Sequence, residues 1–311
     1  MKHRKIKIMP VMIVGISILV LIIGGIGLKK FIDYRNSYDY KLSEIGYKET
    51  EIKYIKKLKD KQIDTILKMD YNKNIDDFIK QKYFIFSNLT DYLKYYKENS
   101  EETYKDIVSI VNVHTNREHY TKTKATDMSK GDLILVNKYN HLAEDYEPDD
   151  LVNISLQYAY ADNRIREHVY EAYKDMWHAA NKEDLTLIVT SSYRSYAKQE
   201  QIHKRYSNQK GLEWADSVSA RAGYSEHQTG LTLDIVTYNS TMDNFEDSDE
   251  FKWLKQNSYK YGFILRYPKD KTYITGYDYE SWHYRYVGKE IAKEIHDLDI
   301  TYDEYYAYYL K

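Results

Sequence analysis

The chain has 311 residues, 42% of them apolar, with a formal net charge of −2 and no cysteine. That length holds two modest folded regions, the apolar content excludes global disorder, and the interspersed charge leaves no electrostatic footprint for nucleic acid. Without cysteine there is no disulfide, thiolate nucleophile, thiolate metal site or lipoprotein anchor, so any metal must be held by His and carboxylates; the 36 tyrosines read as compositional bias.

Lys2, Arg4, Lys5 and Lys7 precede an uncharged run, Val11–Leu28, rich in Val, Ile, Leu and Gly. At about 1.5 Å per residue such a run covers roughly 27 Å, close to the thickness of a bilayer core. It is expected to be an uncleaved transmembrane anchor, with residues 1–30 forming a cytoplasmic tip and single membrane pass and the rest outside the cell. A cleavable signal peptide is the rival reading, but the run is long and an A-x-A-like site is missing. Lys29, Lys30 and Arg35 blunt the charge asymmetry that would set orientation. Gly24, Gly25 and Gly27 lie inside the apolar run and are not a phosphate loop.

Residues 31–125 contain almost no Gly and no Pro. Ile52, Ile55, Ile63, Ile66 and Leu67 recur at near-helical spacing, and Ile75, Phe78 and Ile79 begin a second periodic segment after Asn72-Lys73-Asn74. Asn88 and Ser100 are candidate helix caps, the second for a helix through Val111. This pattern predicts a helical stalk whose apolar stripe is packing surface. His114 and His119 lie off one helical face and read as surface residues. Residues 115–130 are polar and non-periodic and read as a linker.

Residues 126–311 predict a second domain. Leu133–Asn137 reads as a short strand, Arg164–Ala180 as a helix burying Val169, Tyr173, Met176 and Trp177, and Leu185–Thr190 as a β-branched strand leading into a polar turn and another helix. Leu231–Thr237 alternates, placing Leu231, Leu233 and Ile235 on one face and Thr232, Asp234 and Val236 on the other; Trp282–Val287 alternates likewise, with His283, Arg285 and Val287 sharing a face. Strands interrupted by helices, with few βαβ signals, predict an α+β domain around a central antiparallel sheet with flanking helices. The tyrosine stripe of Thr301–Lys311 fits a last helix closing the domain.

Two segments carry the chemistry: GYSEHQTGLTLDIV at 223–236 and ESWH at 280–283. A catalytic zinc needs three protein ligands and one open position. His227 ends a loop, Asp234 comes next on a strand, and His283 lies on another strand that a suitable register would bring beside Asp234. A cation held by two imidazoles and one carboxylate can lower the pKa of water from about 15.7 towards 7 and polarise a carbonyl, and Glu280 is placed to move the proton. On spacing alone, ordinary surface His and Asp in a soluble domain explain these residues equally well.

SSYRS at 191–195, the 223–236 segment, YGFILRYP at 261–268 and ITGYDYESWHYRYVG at 274–288 together resemble the VanY-type D-alanyl-D-alanine carboxypeptidases, zinc peptidases related to lysostaphin and the hedgehog-like fold. The resemblance covers about 131–311 and not 31–125. It implies a D,D-peptidase-like domain with Zn²⁺ bound by His227, Asp234 and His283, Glu280 as general base, and Arg194 stabilising the oxyanion and holding substrate. It also implies that Gln199 and Ser225 line the site for the terminal carboxylate of the peptide. Ser192 stands where the family commonly has Gly, and Ser281 where it commonly has Pro. The activity implied is release of the C-terminal D-alanine from peptidoglycan stem peptides. The alternatives are an L,D-carboxypeptidase on tetrapeptide stems, a D,D-dipeptidase or endopeptidase, and a non-catalytic wall-binding module. Tyr193 and Tyr224 are candidates for stacking on substrate, Trp282, Tyr284 and Tyr286 for the core, Arg266 for holding sheet carboxylates or for the surface, and His203 and His296 for the surface.

Overall fold

The computed structural model describes the backbone from Ile8 and side chains from Ile22 to Lys311. The chain separates into two compact units, Met1–Val108 and Ser109–Lys311. In the first, a helix over Ile8–Asn36 is followed by short helices at Tyr38–Ile45, Glu49–Ile55, Asp60–Ile66, Ile75–Ile79 and Leu89–Glu98. Leu42, Ile52, Ile55, Ile63, Ile66 and Ile75 meet in its core, as the near-helical spacing requires. Asn88 precedes the Leu89–Glu98 helix without a side-chain cap bond. The next helix, Tyr104–Val113, starts later than expected. Thr103, not Ser100, caps it, because the Thr103 hydroxyl accepts from Asp106 N at 3.1 Å.

The expected transmembrane anchor is not supported: among the described residues no helix is long and apolar enough to cross a membrane. Of the expected span, the side chains before Ile22 lie outside the described residues. The described part, Ile22–Leu28, runs on into Lys29, Lys30, Asp33 and Arg35 in the same helix.

The second unit is built on a four-stranded antiparallel sheet. Its strands are β1 (Ile188–Ser191), β2 (Thr232–Val236), β3 (Phe263–Leu265) and β4 (His283–Tyr286), in the spatial order β1-β2-β4-β3. Helix α1 (Glu167–Asn181) lays Val169, Tyr173, Met176 and Trp177 on the Leu187, Val189, Leu231, Leu233 and Ile235 side of the sheet. These are the positions at which the 3.6-residue and two-residue periodicities coincide with burial. Between β1 and β2 run α2 (Tyr196–Lys210) and α3 (Leu212–Val218). A smaller core of Leu135, Ile264, Val287, Ala292, Ile295, Tyr302 and Tyr305 joins α4 (Lys289–Leu298) and the C-terminal helical turns to the sheet. Thr301 and Glu304 cap those last turns reciprocally.

The expected strand Leu133–Asn137 is not a sheet strand: Leu133 ends a 3-10 turn, Ile134 after it is extended, and Asn137 makes an isolated bridge to Asn140. Two of its carbonyls are taken by side chains instead: Arg285 Nη2 donates to Ile134 O at 2.9 Å and the Thr126 hydroxyl to Leu135 O at 2.8 Å. No ladder partner is then required.

Candidate active site

Register places the first two functional side chains. Asp234 on β2 and His283 on β4 are directly opposed across the antiparallel ladder, so their side chains leave the same face within reach of each other. On the other flank of β2 the pairing with β1 slips between Val189 and Ser191. Such an irregularity bends the strand and re-aims the residues beyond it, here the turn that carries Arg194.

His227 comes from a 3-10 turn, Glu226–Thr229. Ser225 starts it, its hydroxyl accepting from His227 N at 3.3 Å. Gly230 ends it at φ 66°, where an added Cβ would lie 2.9 Å from Arg166 Cγ, so only glycine fits without strain. His227 Nδ1 donates to Ser192 O at 2.7 Å, which fixes the tautomer and turns Nε2 to Asp234 Oδ2 at 3.3 Å. His283 Nδ1 lies 3.3 Å from Asp234 Oδ1 and 3.2 Å from Glu280 Oε2. One ligand atom from each of His227, Asp234 and His283 falls within 4.8 Å of the others. Asp234 Oδ1 is buried with no hydrogen-bond partner. A carboxylate with one oxygen towards each imidazole, and Oδ1 without a hydrogen-bond partner, is a donor set that fits a divalent cation, and the two-His, one-carboxylate composition suits zinc.

The electrostatics agree with that fit. Burial alone would raise the Asp234 carboxyl, but His227 and His283 outweigh it and hold it well below the usual carboxylate range. For Glu280 burial wins and pushes its pKa up, against the opposing pull of His283; a raised carboxylate is suited to taking and returning a proton. The Glu280 side chain keeps 14% exposure against 5–6% for those of His227, Asp234 and His283, so it faces the cavity.

Arg194 enters from the turn after β1. Its Nη1 donates to Gln199 Oε1 at 2.8 Å and its Nη2 to Ser191 Oγ at 2.7 Å, and Nη2 stands 3.7 Å from Asp234 Oδ2. Gln199 is spent on both ends, since its Nε2 donates to Ser219 Oγ at 3.1 Å and Ala220 O at 2.7 Å. In this geometry it steadies Arg194. Arg194, Gln199, Ser225, His227, Asp234, Glu280 and His283 all border one cavity of about 210 Å³.

Tyr193 and Tyr224 point elsewhere: their hydroxyls bond Glu147 at 3.0 Å and Thr123 at 3.3 Å. Arg266 is fully buried and His203 pairs with Asp216 at 2.9 Å, so neither is a solvated surface residue. Sequence reasoning missed Tyr267, whose ring lies 4.7 Å from that of His283, and Tyr277, which also borders the cavity. It missed Glu226 as well. The signal was present: an arginine at a buried strand position such as Arg285 demands an acid close by.

A buried His–Asp–His cluster beside a raised glutamate, on an antiparallel sheet with a positioned arginine, defines a metallohydrolase-type site. The family model for VanY, D-alanyl-D-alanine carboxypeptidase, matches residues 162–289. YodJ of Bacillus subtilis (strain 168), which carries a carboxypeptidase name, is 44% identical over 184 residues, covering 56% of this chain and 66% of that protein, just under two thirds of its length. A D-alanyl-D-alanine carboxypeptidase of Enterococcus faecalis (strain ATCC 700802 / V583) is 36% identical over 197 residues, covering 59% of this chain and 70% of the relative. Among solved structures, the LdcB LD-carboxypeptidase is 40% identical with a TM-score of 0.57, covering 60% of this chain and 91% of that one. The chain belongs to the VanY D-alanyl-D-alanine carboxypeptidase family of hydrolases.

Proposed function

We propose that this protein is a zinc-dependent carboxypeptidase that removes the C-terminal D-alanine from peptidoglycan stem peptides, acting outside the cell where that substrate lies. The observation that carries the reading is the convergence of His227, Asp234 and His283 within 4.8 Å, with Glu280 3.2 Å from His283. His227, Asp234 and His283 would hold the zinc, which supplies Lewis acidity towards water and the scissile carbonyl. Glu280 accepts the proton of the attacking water and returns it to the leaving D-alanine nitrogen. Arg194, held by Ser191 and Gln199, presents its guanidinium to the developing oxyanion and to the peptide. Ser225 and Gln199 border the cavity where the substrate carboxylate is expected.

L,D-carboxypeptidase action on tetrapeptide stems is the second reading, favoured by the 40% identity to the LdcB LD-carboxypeptidase. A wall-binding module without activity would have no use for a half-buried glutamate placed beside His283 and facing the cavity. Incubating the purified chain with pentapeptide and tetrapeptide stems, with and without chelator, separates the three. Chelator-sensitive release of D-alanine from the pentapeptide supports the first reading, release from the tetrapeptide alone supports the second, and release from neither leaves the binding module.

A further inference from the structure

We propose that Glu226 is a positioning residue for the metal centre: its free carboxylate oxygen holds the proton of His283 on Nε2 and thereby presents Nδ1 to the cation. The inference rests on the reading of His227, Asp234 and His283 as metal ligands, and it concerns a residue outside that ligand cluster.

Glu226 is 1% exposed and sits at the centre of a fully buried group of charges. Its Oε1 accepts from Arg266 Nε and from Arg285 Nη1, both at 2.8 Å. Arg266 Nη1 continues to Asp303 Oδ2 at 2.6 Å, and Asp303 Oδ1 accepts from Asn137 Nδ2 at 2.8 Å. Arg285 Nη2 reaches Asp132 O and Ile134 O at 2.8 and 2.9 Å. One carboxylate oxygen therefore suffices to anchor both guanidinium groups. The other, Oε2, has no hydrogen-bond partner and lies 3.6 Å from His283 Nε2, itself buried and without a partner.

Two facts give that pair meaning. First, an ion cluster removed from water is seldom a net gain in stability over apolar packing, so a purely structural account leaves the placement of Oε2 unexplained. Second, the inner nitrogen of His283, Nδ1, already faces Asp234 and Glu280. A neutral imidazole has one proton, and Nδ1 can donate its lone pair only if that proton sits on Nε2. A carboxylate beside Nε2 enforces this tautomer and makes the ring a better donor. His227 solves the same problem with a backbone carbonyl, Ser192 O, and so presents the opposite nitrogen, Nε2. The two imidazoles thus turn different nitrogens inward, each with a dedicated partner behind it. Glu226 and His227 being neighbours on one 3-10 turn, a single turn would supply one ligand and the orientation of another.

Glu226→Gln tests this with little change of volume. The amide oxygen can stay on the arginines, which leaves an N–H₂ facing Nε2 and favours the wrong tautomer. The expected result, read with metal alone, is a loss of zinc affinity of about 10- to 100-fold and a shifted visible spectrum of the cobalt-loaded protein. Asp303→Asn, at the far end of the same charge group, is expected to lower thermal stability with wild-type metal affinity. Unchanged zinc affinity and cobalt spectrum in Glu226→Gln would overturn the proposal, as would an equal loss of affinity in Asp303→Asn. If Glu226→Gln does not fold, ¹⁵N shifts of His283 in the zinc-loaded wild type decide: a protonated Nε2 supports the assignment and a protonated Nδ1 refutes it. None of these readouts uses a peptide, so a wrong substrate leaves the proposal standing, whereas a wild type that binds no divalent cation removes both.

Discussion

Arg194 donates to Gln199 and Ser191 and stands 3.7 Å from Asp234 without belonging to the ligand cluster. Arg194→Ala is therefore expected to lower kcat by on the order of 10²- to 10³-fold, the usual cost of an oxyanion donor, with metal content measured by atomic absorption unchanged. Glu280→Gln is expected to retain metal and abolish turnover; wild-type rates in that variant would remove Glu280 from the role of base. Gly230→Ala meets a left-handed φ and a 2.9 Å contact together, so a loss of about 1–3 kcal/mol is expected in urea unfolding. At this scale the residues that converge were named through the resemblance of the 191–195, 223–236 and 274–288 segments to the VanY-type family, because spacing alone did not separate them from ordinary surface His and Asp. Tyr267 and Tyr277 were not, because their importance lies in the ring and cavity they face, which depend on strands distant in the chain; Glu226 was signalled only indirectly, by the acid that a buried Arg285 demands.

At the scale of elements, the alternation of Leu231–Thr237 and Trp282–Val287 sufficed to predict two strands, and the register Asp234↔His283 turned them into a site. A one-residue slip would send His283 to the opposite face. The α1 stripe was equally legible: Val169, Tyr173, Met176 and Trp177 are buried against the sheet. Met176→Ala is expected to cost about 2–5 kcal/mol, seen as a lower denaturation midpoint with site chemistry intact in the folded fraction. Leu133–Asn137 shows where pattern fails. Apolar spacing predicts a strand, but Arg285 and Thr126 occupy two of its carbonyls, and side-chain competition of that kind leaves no periodic trace.

For the whole molecule, a cation bound only by the folded state adds stability by mass action. Metal at about a thousand times its Kd contributes roughly 4 kcal/mol, so chelation is expected to lower Tm measurably, with recovery on adding zinc. The acid side of the stability curve has a contribution remote from the site. His114, held at φ 74°, has its pKa pushed down to about 4 by burial and by Lys311, Arg117 and Lys124. Its folded value thus lies below its unfolded one. As pH falls from about 6.5 to 4 the unfolded chain takes up the proton first, and stability is lost over that window. His114→Gln is expected to flatten that part of the pH–stability profile, measured against wild type by thermal unfolding.

The order of the segments, the absence of thiol chemistry, the periodic helix and strands, and the residue types able to hold a metal were all properties of the sequence by itself, since composition and periodicity are local. The N-terminal apolar run was equally visible there, but among the described residues no helix has the length and apolarity to cross a membrane. Only the tertiary structure decided which nitrogen each imidazole turns inward, that Gln199 is engaged by Arg194, and that Arg266, Arg285, Glu226 and Asp303 share one buried charge group. Those outcomes depend on atoms brought together from far apart in the chain, where strand register and hydrogen-bond competition, not spacing along the sequence, set the distances.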